Sequence, residues 1–202
     1  MVQTSSKTLT AEDFIAQYGD RDRYELIDGE LIEMEPTGPH EQVIGFVGRK
    51  LNVEIDRQDL PYFIPHRCLI RLLGTDTAFR PDLIVLDQSQ LANEPFWQRE
   101  PIVTNGRSIK LIVEVVSTNW QNDYARKAED YAILGVPEYW IVDYLGIGGR
   151  DYIGNPKQPT MTVCHLQGNT YTKQLLKGDG MLRSLVFPDL SLKANTILAA
   201  GR

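Results

Sequence analysis

Two carboxylates and one amine sit where a folded chain must compensate their charge. Asp82 lies in Arg80-Pro81-Asp82-Leu83-Ile84-Val85-Leu86-Asp87, and Glu114 in Ile109-Lys110-Leu111-Ile112-Val113-Glu114-Val115-Val116-Ser117. Both runs are dominated by β-branched and aliphatic residues, the pattern of strands covered on two faces. A carboxylate in such a strand loses hydration worth several kcal/mol unless a cation or hydrogen-bond donors replace the water. Neighbouring strands lie about 4.8 Å apart, so Asp82 and Glu114 on adjacent strands would place their oxygens around one divalent ion. Oxygen ligation of that kind suits Mg2+ or Mn2+. The expected chemistry is metal-assisted cleavage of a phosphodiester.

The amine is located by periodicity. Asp123 to Leu134, followed by Gly135, reads as a helix opened by a polar cap and closed by glycine. Tyr124, Lys127, Ala128 and Tyr131 recur at helical spacing and share one face. Lys127 is the charge that interrupts this apolar stripe. A helix that follows a central strand packs back on the sheet, which directs Lys127 toward the carboxylates, where it would balance their charge or stabilise a pentavalent phosphate.

The elements that must position these groups can be read in order. Residues 1–8 read as a loose tail. Thr10-Ala11-Glu12-Asp13 resembles a capping box opening a helix to Tyr18. Tyr24 to Met34 is two alternating runs around Asp28-Gly29, a strong hairpin signal. Val43, Ile44, Val47, Leu51 and Ile55 form a helical stripe from His40 to about Arg57. Tyr62 to Leu73 alternates as a strand expected to pair antiparallel with the Asp82 strand. Gln88 to Arg107 is aperiodic and reads as an irregular loop. Glu138 to Asp143 completes a strand, helix, strand crossover. Gly146 to Gly149 reads as a turn. Thr160–Leu166 and Thr170–Leu176 form a hairpin, and Arg183 to Leu192 reads as a last strand. The expected architecture is one α/β domain over residues 9–198 with a curled mixed sheet flanked by helices.

Composition narrows the class. The chain has 202 residues and is 42% hydrophobic, enough for a real core. No apolar stretch approaches the roughly 20 residues that span a bilayer, and Met1 to Lys7 lacks the apolar block of a signal peptide. A cytoplasmic protein is expected. Cys68 and Cys164 lack zinc-type spacing and read as buried reduced thiols, with one disulfide as the alternative. The net charge of −6 is not the overall footprint of a nucleic-acid binder. A local rim drawn from Arg49, Lys50, Arg57, Arg67, Arg71, Arg80 and Arg107 could still meet phosphates, or these charges could be scattered and solvated.

Taken in order, Tyr24-Glu25-Leu26-Ile27-Asp28-Gly29-Glu30-Leu31, Arg80-Pro81-Asp82-Leu83, Val113-Glu114-Val115-Val116-Ser117, and Lys127 through Tyr131 to Gly135-Val136-Pro137-Glu138-Tyr139-Trp140-Ile141-Val142-Asp143 resemble the Uma-two family of the PD-(D/E)XK restriction-endonuclease-like superfamily. The resemblance runs from about Thr8 to Leu198. It implies a restriction-endonuclease-like core with an N-terminal helix and hairpin, a C-terminal hairpin, and a Mg2+-dependent (or Mn2+-dependent) endonuclease acting on DNA. In the superfamily the lysine lies two residues after the second acid, a position held here by Val116. The resemblance implies that Lys127 replaces it, that the Val115 carbonyl joins Asp82 and Glu114 as a metal ligand, that Glu25 is an added acid and His40 a polar neighbour of the site, and that the chain self-associates as a homodimer or higher homo-oligomer.

Each residue also has a plainer reading. Asp82 could cap a turn, Glu114 and Lys127 could be a buried ion pair without metal, and Lys127 could extend its head to water. Glu25 could face solvent, His40 could simply start a helix, and Tyr131 reads as core. The displaced lysine and the acidic charge favour a second possibility, a nuclease-fold module used for binding or assembly without turnover.

Overall fold

The computed structural model describes residues 8–202. The tail expected over residues 1–8 lies, through residue 7, outside the described residues. In chain order the elements are α1 (Ala11–Tyr18), β1 (Tyr24–Ile27), β2 (Glu30–Glu33), α2 (Gly38–Arg57), β3 (Tyr62–Phe63), β4 (Leu69–Leu72), β5 (Thr77–Phe79), β6 (Leu83–Asp87), β7 (Ile102–Val103), β8 (Ile109–Val115), α3 (Lys127–Leu134), β9 (Glu138–Asp143), α4 (Arg150–Ile153), β10 (Thr160–Gln167), β11 (Thr170–Leu176) and α5 (Ala194–Leu198). The chain divides into two compact units.

The first unit comprises residues up to Glu35, His66–Pro81 and Ala92–Thr104. Its sheet runs β2-β1-β5-β4-β7, with β4 and β7 parallel and the other pairs antiparallel. Thr10 caps α1 as the sequence predicts, its hydroxyl accepting from Asp13 N–H while Asp13 reaches back to the cap. Asp28 and Gly29 take φ of 51° and 81°, the left-handed pair that a two-residue hairpin needs. Ala11 and Phe14 pack with Leu26, Leu69, Ala78 and Ile102 into this unit's core.

The second unit comprises Pro36–Pro65, Asp82–Leu91 and Asn105–Arg202. Its sheet runs β11-β10-β9-β8-β6-β3, mixed because β8 and β9 are parallel across the α3 crossover. Alternation sorts the faces. Leu111, Val113 and Val115 of β8 join Trp140 and Val142 of β9 in a core with Val43, Val47, Leu51 and Ile55 of α2. With a period of two, Ile112 and Glu114 face the opposite side. That side is where α3 packs, with Tyr131 edge-on to Tyr139 of β9.

Three expectations are corrected. The run from Tyr62 to Leu73 is not one strand: β3 pairs with β6, whereas β4 pairs with β5 in the other sheet. Pro65, which has no N–H to give a ladder, lies in the break. Arg183 to Leu192 forms no strand, because Leu185 and Val186 give their N–H groups to the buried Glu138 carboxylate and Pro188 has none to give. Third, α3 has no side-chain cap; it continues from a π-helical turn at Asn122–Arg126. Cys68 and Cys164 are buried free thiols. Among the described residues no helix is long and apolar enough to cross a membrane.

Candidate metal centre

Glu114 is the sixth residue of β8, flanked by β6 and β9, and is 2% exposed. A buried carboxylate there must exchange water for other donors. Its Oε1 accepts from the Tyr131 hydroxyl at 2.9 Å and lies 3.2 Å from Lys127 Nζ. Its Oε2 accepts from Asp82 N–H at 3.3 Å. Asp82, one residue before β6, answers in kind: its Oδ2 accepts from Val115 N–H at 2.7 Å. Each acid thus bonds the main chain beside the other across the β6–β8 pair, where Leu83 is opposite Val113.

Lys127 stands at the junction of the π-helical turn and α3 and is 4% exposed. Its Nζ lies between two carboxylates, 3.2 Å from Glu114 Oε1 and 3.6 Å from Asp123 Oδ1. Tyr124, Ala128 and Tyr131, its companions on the predicted stripe, are all buried. Sequence reasoning missed two partners on this helix. Asp123 is four residues before Lys127, a spacing that signals an ion pair. Tyr131, read as core, is that and more: its ring is fully buried while its hydroxyl serves Glu114.

His40 heads the buried stripe of α2, three residues before Val43. Its Nε2 is 2.9 Å from the Val115 carbonyl and 3.3 Å from Asp82 Oδ2. Burial, the largest influence, opposes protonation of the ring. The Asp82 hydrogen bond and charge, the Val115 carbonyl and Glu41 together outweigh it and hold the pKa above the ordinary histidine value.

The second unit therefore brings together Asp82, Glu114, Val115, Lys127 and His40. Glu25 belongs to the first unit, buried on β1 opposite Ile32. Of the basic residues considered for a phosphate-facing rim, Arg80 is buried and gives its guanidinium to the carbonyls of Tyr24, Tyr18 and Gly19. It pins the first unit and is lost to any rim. Arg57 and Arg71 are engaged with Glu54 and Glu12, and Arg49 and Lys50 lie over Phe46.

The donor chemistry fits a small hard divalent ion, since two carboxylates and a main-chain carbonyl converge at one end of the β6–β8 pair. Asp82 Oδ1 takes part in none of the contacts above, on a side chain 20% exposed. Asp82 Oδ2 and the Val115 carbonyl are both engaged by His40. Among the described residues no group of three or more His, Cys, Asp or Glu side chains stands ready as a coordination set.

The fold has a solved counterpart. It matches the crystal structure of a "putative nuclease belonging to DUF820" from Anabaena variabilis ATCC 29413, with TM-score 0.71, 17% identity, and coverage of 96% of this chain and 99% of that one. No curated protein matches the chain. The profile of the Uma2 (Uma-two) family, described as "Putative restriction endonuclease", matches residues 11–195. With a match over almost its whole length, the chain belongs to the Uma2 family.

Proposed function

We propose that the chain is a divalent-metal-dependent endonuclease that hydrolyses phosphodiester bonds of DNA, with Mg2+ or Mn2+ held by Asp82, Glu114 and the Val115 carbonyl. The observation that carries this reading is the convergence of Asp82, Glu114 and Lys127, with each acid bonded to the main chain beside the other. The family supports it, because restriction-endonuclease-like proteins generally use divalent metals. A bound ion supplies Lewis acidity toward the phosphate and a water of lowered pKa. Asp82 and Glu114 hold it, Tyr131 fixes the Glu114 carboxylate, and Lys127 offsets the charge that grows on the phosphate. The family match runs through both units, which supports treating residues 9–198 as one endonuclease-like domain.

Plasmid DNA incubated with Mg2+ or Mn2+ tests this directly. Wild type should nick it, Asp82→Ala and Lys127→Ala should not, and Glu25→Gln reports whether the added acid takes part. Equal cleavage by wild type and both alanine variants would mean a contaminant. Cutting both strands of a duplex takes two such sites, which favours a homodimer; sedimentation checks that separately.

A second reading is a nuclease-fold module that binds or assembles without turnover. It is favoured by the burial of Lys127 between two carboxylates, which occupies the ammonium a phosphate would need. Millimolar Mn2+ discriminates. A native site stabilises by RT ln(1 + [L]/Kd), on the order of 1–3 kcal/mol for modest affinity. No rise in Tm, or a rise that survives Glu114→Gln, favours the module.

A further inference from the structure

Two of the three oxygen groups assigned to the cation are already engaged by a single nitrogen. His40 Nε2 lies 2.9 Å from the Val115 carbonyl and 3.3 Å from Asp82 Oδ2. A carbonyl and a carboxylate can only accept, so Nε2 carries a proton and cannot offer a lone pair there. The ring is buried in this pose. Its side chain is 8% exposed, it sits on the first turn of α2 behind Thr37, whose hydroxyl accepts from His40 N–H at 3.4 Å, and the stripe Val43, Val47, Leu51 and Ile55 anchors the helix on the sheet.

An ion bonded to both oxygens, at about 2.1 Å for Mg2+, would occupy the space through which this N–H points. We infer that His40 is a built-in competitor for the metal centre: its docked N–H and a divalent cation bound to the Val115 carbonyl and Asp82 Oδ2 exclude one another. His40 then acts as a stand-in for the cation, bonding the Val115 carbonyl and joining the Val115 N–H at Asp82 Oδ2 in its absence, and must withdraw when the ion takes them. The ring has a polar neighbour away from the site, since its Nδ1 lies 3.7 Å from Glu41 Oε1 on a side chain 60% exposed. The inference rests on the metal-centre reading above, and it reverses the usual expectation for a histidine beside a metal, because removing a ligand weakens binding whereas removing a competitor strengthens it.

Mn2+ affinity, measured by calorimetry on the full chain, tests it without reference to turnover. His40→Ala and His40→Phe both delete the N–H, and the phenyl ring keeps the packing if alanine unfolds the helix start. Both should bind Mn2+ about two- to tenfold more tightly than wild type, the size of one lost competing hydrogen bond. His40→Gln, which keeps an N–H donor, should stay near wild type. Equal or weaker binding in the two deletion variants, with Mn2+ binding to wild type abolished by Glu114→Gln, would overturn the competitor and leave the metal centre standing. Absence of Mn2+ binding in every protein would overturn both.

Discussion

The Tyr131 hydroxyl donates to Glu114 Oε1 at 2.9 Å, from a helix onto the central strand that helix covers. The bond ties the connecting helix of the crossover to the strand that leads into it, because Glu114 lies on β8 and Tyr131 on α3. Removing the donor leaves a buried carboxylate oxygen short of a partner, which costs about 1–3 kcal/mol. Tyr131→Phe should lose that much in urea unfolding with m unchanged. In a double-mutant cycle with Glu114→Gln the two changes should be non-additive by about 0.5–3 kcal/mol. Strict additivity would show that the contact carries no energy.

Lys127 poses the complementary case. Its ammonium and the Glu114 carboxylate are nearly sealed from water, with side chains 5% and 2% exposed. Deleting one charge strands the other, a loss of roughly 3–5 kcal/mol, whereas replacing the whole pair by neutral groups is far milder. Lys127→Met should therefore destabilise strongly, and adding Glu114→Gln to it should recover much of the loss. A double variant no more stable than Lys127→Met would argue that Asp123, 3.6 Å from the ammonium, is the partner that matters.

Much of this site is legible in the sequence for a simple reason. The near-continuous apolar run of Ile109–Val115 marks a strand covered on both faces, helical spacing from Tyr124 to Tyr131 fixes one face of a helix, and a charge in either place stands out whatever the rest of the fold does. Asp28-Gly29 was equally clear, because the left-handed conformation of a tight hairpin turn narrows the choice of residues. What failed was non-local. The alternation of Tyr62 to Leu73 could not show that the chain leaves one sheet for another between Phe63 and Leu69. Nor could the last run show that Glu138, far off in sequence, would claim the N–H groups of Leu185 and Val186. Arg80 looked like a surface cation because its partners are main-chain carbonyls, which have no sequence signature.

Arg80 yields its own prediction. Its planar fork reaches three carbonyls from a buried position, and a lysine ammonium cannot reproduce that spread. Arg80→Lys should lower stability by about 1–3 kcal/mol despite keeping the charge, seen as a lower Tm. A surface role in phosphate contact would give the opposite pattern, with Tm unchanged by the substitution.

The two thiols set a pH dependence. Burial, reinforced by the charge of Glu94 and partly offset by Arg80, pushes Cys68 up to about 12 from an ordinary 9.0. Burial likewise pushes Cys164 up to about 12, with Lys173 opposing and Glu138 adding to it. In the unfolded chain both ionise near 9, so between about 9 and 12 the native state holds more protons than the unfolded one. Stability must then fall as pH rises through that window, and these groups contribute no slope below it. Melting temperatures from pH 8 to 11 should decline more steeply in wild type than in a Cys68→Ala, Cys164→Ala double variant. At neutral pH both thiols should react with a disulfide reagent only after urea unfolds the chain, because attack needs an exposed thiolate. Rapid labelling of the native protein would show that the segment around one of these thiols opens far more readily than its burial implies.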